Sequence, residues 1–353
     1  MSRSKISSAT AMVVLLAATS AHAADWYPFK LQASTTSKAA DAKLIDYTPP
    51  QKASKAWNIC VLYPHMQDSY WVSVSYGLTE EAKRLGVNVT ALQAGGYSNL
   101  PKQLSQFDDC LSSKADAILI AAVSEAGTAA KISESVQKGV VTIGLVNDLL
   151  EAPVTAKITQ DVRQKGVDSG KYLVKQLGDK GGNVVAFPGP QGSGWAERYM
   201  DGFREALNGS KVNLLAAQFG EASIPAQQKL VEDAIQTYPD LTAIWGGAPT
   251  AEAAIGSVKE AGLENTTIVA AYENETMLKA VKAGQVSAVA TEYPVIMGRI
   301  GIDLAVAALE KKLEYKTLVV PVGLVTKDNI ATFDTTQIFA PEGTRPVFSV
   351  KAN

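Results

Sequence analysis

From Asn58 onward the sequence alternates short, continuously apolar runs with longer amphipathic ones, and after Pro153 the alternation starts again. The first series predicts strands at NICVLY (58–63), VNVTAL (87–92), AILIAA (117–122) and VVTIGLV (140–146), with helices over 69–85, 99–113 and 125–138. The second predicts strands at NVVAFP (183–188), NLLAAQF (213–219), TAIWGG (242–247), TIVAAY (267–272) and VSAVAT (286–291). Its helices are expected over 163–178, 195–208, 223–237, 250–262 and 275–283, with a last one over 295–312. A strand that is apolar along its whole length is buried on both faces, so each series predicts a parallel sheet covered by helices. Two series predict two doubly wound, Rossmann-like α/β lobes. In such sheets ligands bind beyond the carboxyl ends of the strands, which here face each other across a cleft.

The amino-terminal stretch sets a compartment. Arg3 and Lys5 precede an apolar run from Ala11 to Ala18, and Ala21-His22-Ala23 fits a small-x-small cleavage site, so residues 1–23 are expected to be a removable signal peptide. That run is too short to span a bilayer, and no later segment predicts stable membrane insertion. Cleavage removes two cations and no acid, so the formal charge of −2 becomes −4. An acidic balance without a dense Lys/Arg cluster argues against a nucleic-acid partner. The two cysteines, Cys60 and Cys110, suggest a disulfide in an oxidising compartment, the alternative being two buried thiols.

Several chemistries are excluded. His65 is the only histidine beyond the signal segment, which removes His-based triads and multi-His metal sites, and in its loop it is expected to be a surface or hydrogen-bonded residue. CxxC, HExxH and GxxxxGK[ST] are absent, and Gly189-Pro190-Gln191-Gly192-Ser193-Gly194 lacks the lysine of a phosphate loop. No spacing of carboxylates calls for acid–base catalysis. The chain reads as a binding protein rather than an enzyme, with no cofactor.

The strand ends carry the chemistry. Tyr70, Trp71, Tyr97, Trp195, Tyr272 and Tyr293 fall there, together with Asp68, Asp161, Glu273 and Glu292. Tyr70 and Trp71 are adjacent on a predicted helix, about 100° apart, which favours the cleft over the alternative that both are ordinary core aromatics. Asp68 also has the chemistry of an N-cap. Aromatic faces attract cations by roughly 0.5–2 kcal/mol each, and cages of this kind recognise methylated ammonium groups. Several rings and one carboxylate could then supply much of the roughly 8 kcal/mol that micromolar binding needs. Trp245, inside a strand, is expected in the core.

The stretches WNICVLYPHMQDSYWVSVSYGLTEEAKRLGV, LQAGGYS, FDDC, PGP, DGFREAL, AEAAIG and GTRPVF resemble the type I periplasmic binding proteins of the ribose-binding class, and within it the TorT-like branch. The resemblance covers about residues 55–348. It implies two lobes joined by a three-stranded hinge, with chain crossings near 158–162, 289–293 and 317–321. Residues 24–54, rich in Ala, Ser, Thr, Lys and Pro without a sustained period, read as an extended N-terminal arm, with the N-terminal lobe expected at 55–160 plus 293–318 and the C-terminal lobe at 161–292 plus 319–353.

The resemblance also implies a ligand, trimethylamine N-oxide (TMAO), held by Asp68, Tyr70, Trp71, Tyr97 and Tyr272. The partner it implies is a TorS-like membrane sensor histidine kinase, and the alternative for this fold is the permease of an ABC importer. A further cage tryptophan of that branch would fall in ITQDVRQKG, where this chain has Val162 beside Asp161. Trp195 is expected to replace it. Glu197 stands near the position of an arginine in sugar-binding relatives, and Ala248-Pro249-Thr250 replaces their Asn/Asp pair, so a pentose or hexose is disfavoured. Asp161 is a further ligand candidate, and Glu273, Glu292 and Tyr293 are weaker ones.

Overall fold

The computed structural model describes residues 26–352; the expected signal peptide lies outside them. Two α/β lobes are present. In the first, the strands are β1 (Phe29–Ser34), β2 (Lys43–Tyr47), β3 (Asn58–Tyr63), β4 (Asn88–Gln93), β5 (Ala117–Ile120), β6 (Val141–Leu145) and β7 (Ala156–Gln160). The helices between them are α1 (Ser69–Leu85), α2 (Leu100–Ser112) and α3 (Glu125–Gln137). The second lobe runs α4 (Val162–Leu177), β8 (Gly182–Phe187), α5 (Trp195–Leu207), β9 (Val212–Ala217), α6 (Ile224–Thr237), β10 (Ala243–Gly246) and α7 (Ala248–Glu260). It continues through β11 (Thr267–Ala270), α8 (Glu275–Ala283) and β12 (Ala288–Thr291). The chain then returns to the first lobe with α9 (Pro294–Leu309) and β13 (Thr317–Val320), and crosses once more to β14 (Gly323–Thr326) before ending in β15 (Ser349–Val350).

The first sheet has the order β15-β4-β3-β5-β6-β7-β13-β1-β2 and the second β14-β12-β11-β10-β8-β9. Within both, the central strands pair in parallel in the same 2-1-3-4-5 winding, and the antiparallel strands are confined to the margins. In each lobe the strand order therefore reverses beside the first strand of the series, β3 or β8, where a doubly wound sheet opens its crevice. The lobes are joined at 160–162, 291–294 and 320–323.

Helix pairs pack each lobe tightly. A Cβ on Gly298 of α9 would lie 2.1 Å from the Val74 carbonyl of α1, and one on Gly202 of α5 would lie 2.0 Å from the Arg163 carbonyl of α4. Both contacts sit where a helix entering from a crossing, α9 or α4, lies on the helix that follows the first parallel strand of its lobe, α1 after β3 or α5 after β8. Trp245 is fully buried, stacks on Phe203 with centroids 4.3 Å apart and donates to Ser169 Oγ at 2.9 Å. Cys60 on β3 and Cys110 on α2 are joined as a disulfide.

Two expectations for the termini are corrected. The arm 24–54 is not simply extended, because β1 pairs antiparallel with β13 and β2 with β1, adding two strands to the first sheet. The reason is a short period-two pattern: Phe29, Leu31 and Ala33 are buried while Lys30 and Gln32 are exposed. Trp26 Nε1 and Tyr47 Oη then anchor the arm on the buried carboxyl groups Glu81 and Asp303, at 3.1 Å each. At the other end, residues 319–353 do not all belong to the second lobe. β15 pairs with β4, and Ala91 N donates to the Phe348 carbonyl at 2.9 Å, so the chain finishes on the first sheet.

Candidate functional site

The loop after β3 turns directly into α1, and Asp68 caps that helix by accepting from Tyr70 N at 3.1 Å. Capping holds the carboxylate at the strand's end and sets Tyr70 and Trp71 in the first helical turn. Asp68, Tyr70, Trp71, Tyr97, Trp195 and Tyr272 all line one cavity between the lobes. Asp68 is 6% exposed, and its carboxylate also accepts from two groups of the opposite lobe, Tyr272 Oη at 3.1 Å and Asn274 Nδ2 at 3.4 Å.

The rings form a closed circuit of edge-to-face contacts. Trp71 meets Tyr70 at 5.4 Å, Tyr70 meets Tyr272 at 5.6 Å, Tyr272 meets Trp195 at 6.3 Å and Trp195 meets Tyr97 at 5.7 Å. His65 closes it, 5.6 Å from Tyr97 and 6.4 Å from Trp71. The circuit crosses between lobes twice, at Tyr70–Tyr272 and at Tyr97–Trp195. A cage in two halves exists only when the lobes are shut. Glycines make room for the second half: a Cβ on Gly189 would lie 2.5 Å from the Trp195 ring, and one on Gly247 would lie 2.6 Å from Tyr272.

The remaining sequence candidates are placed differently. Glu292 lines the cavity, and its carboxylate pairs with Lys165, whose side chain is fully buried. Glu273 lies outside the lining, buried at the hinge, where it accepts from Thr291 Oγ1 (2.8 Å), Glu292 N (2.8 Å) and Tyr293 N (3.3 Å). Tyr293 is also outside the lining; its ring packs on Phe29, and its backbone has a left-handed φ of 57° at the crossing. Asp161 is exposed and caps α4 by accepting from Gln164 N at 2.8 Å, so its side chain is committed to the helix end.

His65 is not a surface residue. It is 1% exposed, its Nδ1 accepts from Gln67 N, and burial pushes its pKa down to about 4. The loop before α5 does not cradle an anion either, because Gly192 N and Gly194 N already donate to Glu197 at 2.6 and 2.9 Å.

Several lining residues carried no strong sequence signal: Val146, Asn147, Gln160, Tyr199 and Ala222, with Val162 at the opening of α4. Tyr199 was within reach of helical spacing, since it lies four residues beyond Trp195 on α5 and shares its face. Asn147 fixes Tyr97 by donating to its Oη at 3.1 Å. Val146 has φ of 64°, an outlier for a β-branched residue, and no local rule predicts it.

Further contacts hold the lobes together at the cleft's edge. Glu221 of the second lobe accepts from Tyr97 N (3.0 Å) and Ser98 N (2.6 Å) of the first. Arg198 reaches back to Glu125 at 3.0 Å and Asp148 at 3.6 Å. Burial raises the Asp68 pKa to about 6, outweighing its hydrogen bonds to Tyr70, Tyr272 and Asn274. Burial and the neighbouring Glu292 push Glu273 up to about 7 against the pull of Lys165. The space open to the centre of a water-sized molecule is about 30 Å3.

Two facing α/β lobes, shut over a small aromatic cavity at their strand ends, are the architecture of a solute-binding protein. The chain belongs to the periplasmic binding protein family: the model of the periplasmic binding protein domain matches residues 59–313. Periplasmic protein TorT of Escherichia coli K12 is 31% identical over 307 residues, which is 86% of this chain and 88% of that protein. An ABC transporter solute binding protein from Bradyrhizobium sp. BTAi1, solved with bound bis-tris, superposes with a TM-score of 0.77 at 39% identity, covering 93% of this chain and 100% of that one. A complex of the TorS sensor domain with TorT in the presence of TMAO superposes at 0.73 with 25% identity, covering 83% and 99%. No helix among the described residues is long and apolar enough to cross a membrane.

Proposed function

We propose that the protein is an exported receptor for TMAO or a related methylated amine, without catalytic activity. The observation that carries this reading is the closed circuit of rings around a cavity that also holds the Asp68 carboxylate. Methyl groups on a positive nitrogen suit ring faces, and the carboxylate answers the nitrogen's charge. A cavity of this size suits a solute of a few heavy atoms better than a hexose.

Binding drives closure only through contacts made better in the shut form. Here those are the half-cages contributed by each lobe. The closed surface then signals to the periplasmic domain of a TorS-like sensor histidine kinase, a reading supported by likeness to TorT and to its complex with the TorS sensor domain. A second reading has support of its own. The 39% identical relative is described as an ABC transporter component and was solved with bis-tris, a tertiary amine bulkier than the solutes this cavity suits, so the likeness supports delivery of an amine to a permease as the second role.

A thermal-shift series with TMAO, trimethylamine, choline, betaine and ribose tests the ligand, since a solute bound only by the folded state raises its stability by mass action. A response to ribose and to no methylated amine would refute the receptor reading. Size-exclusion chromatography with a TorS-like sensor domain separates the two roles, a ligand-dependent complex favouring signalling.

A further inference from the structure

Three buried polar atoms on side chains that line the cavity have no well-aligned hydrogen-bond partner among the described residues: Gln160 Oε1, Tyr70 Oη, which has only the Glu292 carboxylate beside it, and Trp195 Nε1, which has only the Tyr97 hydroxyl. Buried polar groups are seldom left unmet, because they have given up their hydration. With the lobes shut, a ligand or trapped water is what can meet them. The indole N–H only donates, the tyrosine hydroxyl does either, and the amide of Gln160 offers an acceptor or, turned over, a donor.

The charge balance is equally one-sided. Asp68 and Glu292 line the cavity and Glu273 lies at its hinge side, against one buried ammonium, Lys165, which is engaged with Glu292. Among the described residues, Asp68 is met only by Tyr70 N, Tyr272 Oη and Asn274 Nδ2, all formally neutral. A zwitterionic N-oxide brings its own negative oxygen into this acidic box, and a betaine brings a carboxylate. A cation with one hydroxyl brings no negative group. Its O–H can donate to Gln160 while its oxygen accepts from Trp195 Nε1–H or Tyr70 Oη–H.

We propose, resting on the methylated-amine reading above, that the cleft prefers a hydroxyl-bearing alkylammonium cation of the choline class over N-oxides and betaines. The ring faces take the methyl groups, Asp68 answers the charge, and the N–H of Trp195 reads the hydroxyl.

Isothermal titration of the exported chain at pH 7.5 with choline, tetramethylammonium, TMAO and glycine betaine tests this without any variant. Choline is expected to bind at least about tenfold tighter than TMAO or betaine, and severalfold tighter than tetramethylammonium, which has the charge and methyls but no hydroxyl. Trp195→Phe keeps a ring and removes the N–H, so the ratio of choline to tetramethylammonium affinity should fall to near one. TMAO or betaine binding as tightly as choline overturns the inference and leaves the methylated-amine reading standing. Choline no tighter than tetramethylammonium, or an undiminished ratio in Trp195→Phe, also overturns it. Silence from all four ligands overturns both readings.

Discussion

Asp68→Asn should make the protein more stable and a poorer binder at once. Burial holds the Asp68 pKa at about 6 instead of near 3.8, and about two pH units correspond to about 3 kcal/mol. A raised carboxyl pKa means the folded state prefers the neutral acid. The stabilisation linked to this group is therefore present below pH 3.8 and is lost as pH rises through 6. At pH 7.5 the wild type carries the whole penalty, and asparagine carries none of it. Asparagine retains one acceptor oxygen where aspartate offers two, so roughly 1 kcal/mol of hydrogen bonding to Tyr70, Tyr272 and Asn274 is lost in return.

The net gain is about 1–2 kcal/mol, or roughly 1–3 °C in Tm for a chain of this size at about 2.1 cal/mol/K of unfolding entropy per residue. Calorimetry across pH 4.5–8 should show this gap closing as pH falls through 6. Titration with a cationic amine should show about 10–100-fold weaker binding, the value of a charge-assisted contact. The ligand-induced Tm rise of the wild type should also be larger at pH 7.5 than at pH 5. A variant less stable than wild type at pH 7.5, or one with unchanged affinity for cations, would refute the assignment of Asp68 as a buried, uncompensated charge kept for the ligand.

Three other perturbations probe the frame around the site. Lys165→Met leaves Glu292 buried without its cation and should cost about 3–5 kcal/mol, with the double variant Lys165→Met/Glu292→Gln regaining most of it; chemical denaturation reads both. Glu221→Ala removes two hydrogen bonds between the lobes, so small-angle scattering of the ligand-free protein should show a larger radius of gyration and ligand affinity should drop about fivefold. An unchanged radius would mean that the cleft stays shut without that clasp. Replacing Cys60 and Cys110 by serine opens a loop of 50 residues and should lower stability by about 4 kcal/mol on chain-entropy grounds, measured as a shift in denaturation midpoint.

Local pattern alone determined most of the secondary structure. Strands buried on both faces and helices of one apolar stripe leave a plain record in hydropathy, which is why the expected helix over 69–85 coincides with α1. The strand ends followed, because topology places them at the cleft, and with them came Asp68, Tyr70, Trp71, Tyr97, Trp195 and Tyr272 as candidates. What hydropathy missed was short or non-local. β1 and β2 are brief alternating runs among polar residues, and the pairing of β15 with β4 joins segments some 260 residues apart.

The cleft's detail was decided only in three dimensions. A carboxylate near a strand end serves as a cap, a hinge anchor or a cavity wall according to what the opposite lobe brings against it. Asp161 became a cap on α4, Glu273 an anchor for the crossing at 291–294, and Asp68 both a cap and a wall. His65 was hidden for the same reason: nothing in its own loop shows that rings from two other segments will bury it. Sequence period encodes which face of an element is apolar, so it reaches as far as the lobe. The cage arises between lobes, where Tyr97 meets Trp195 from 98 residues away and Tyr70 meets Tyr272 from 202, and only tertiary packing could close it.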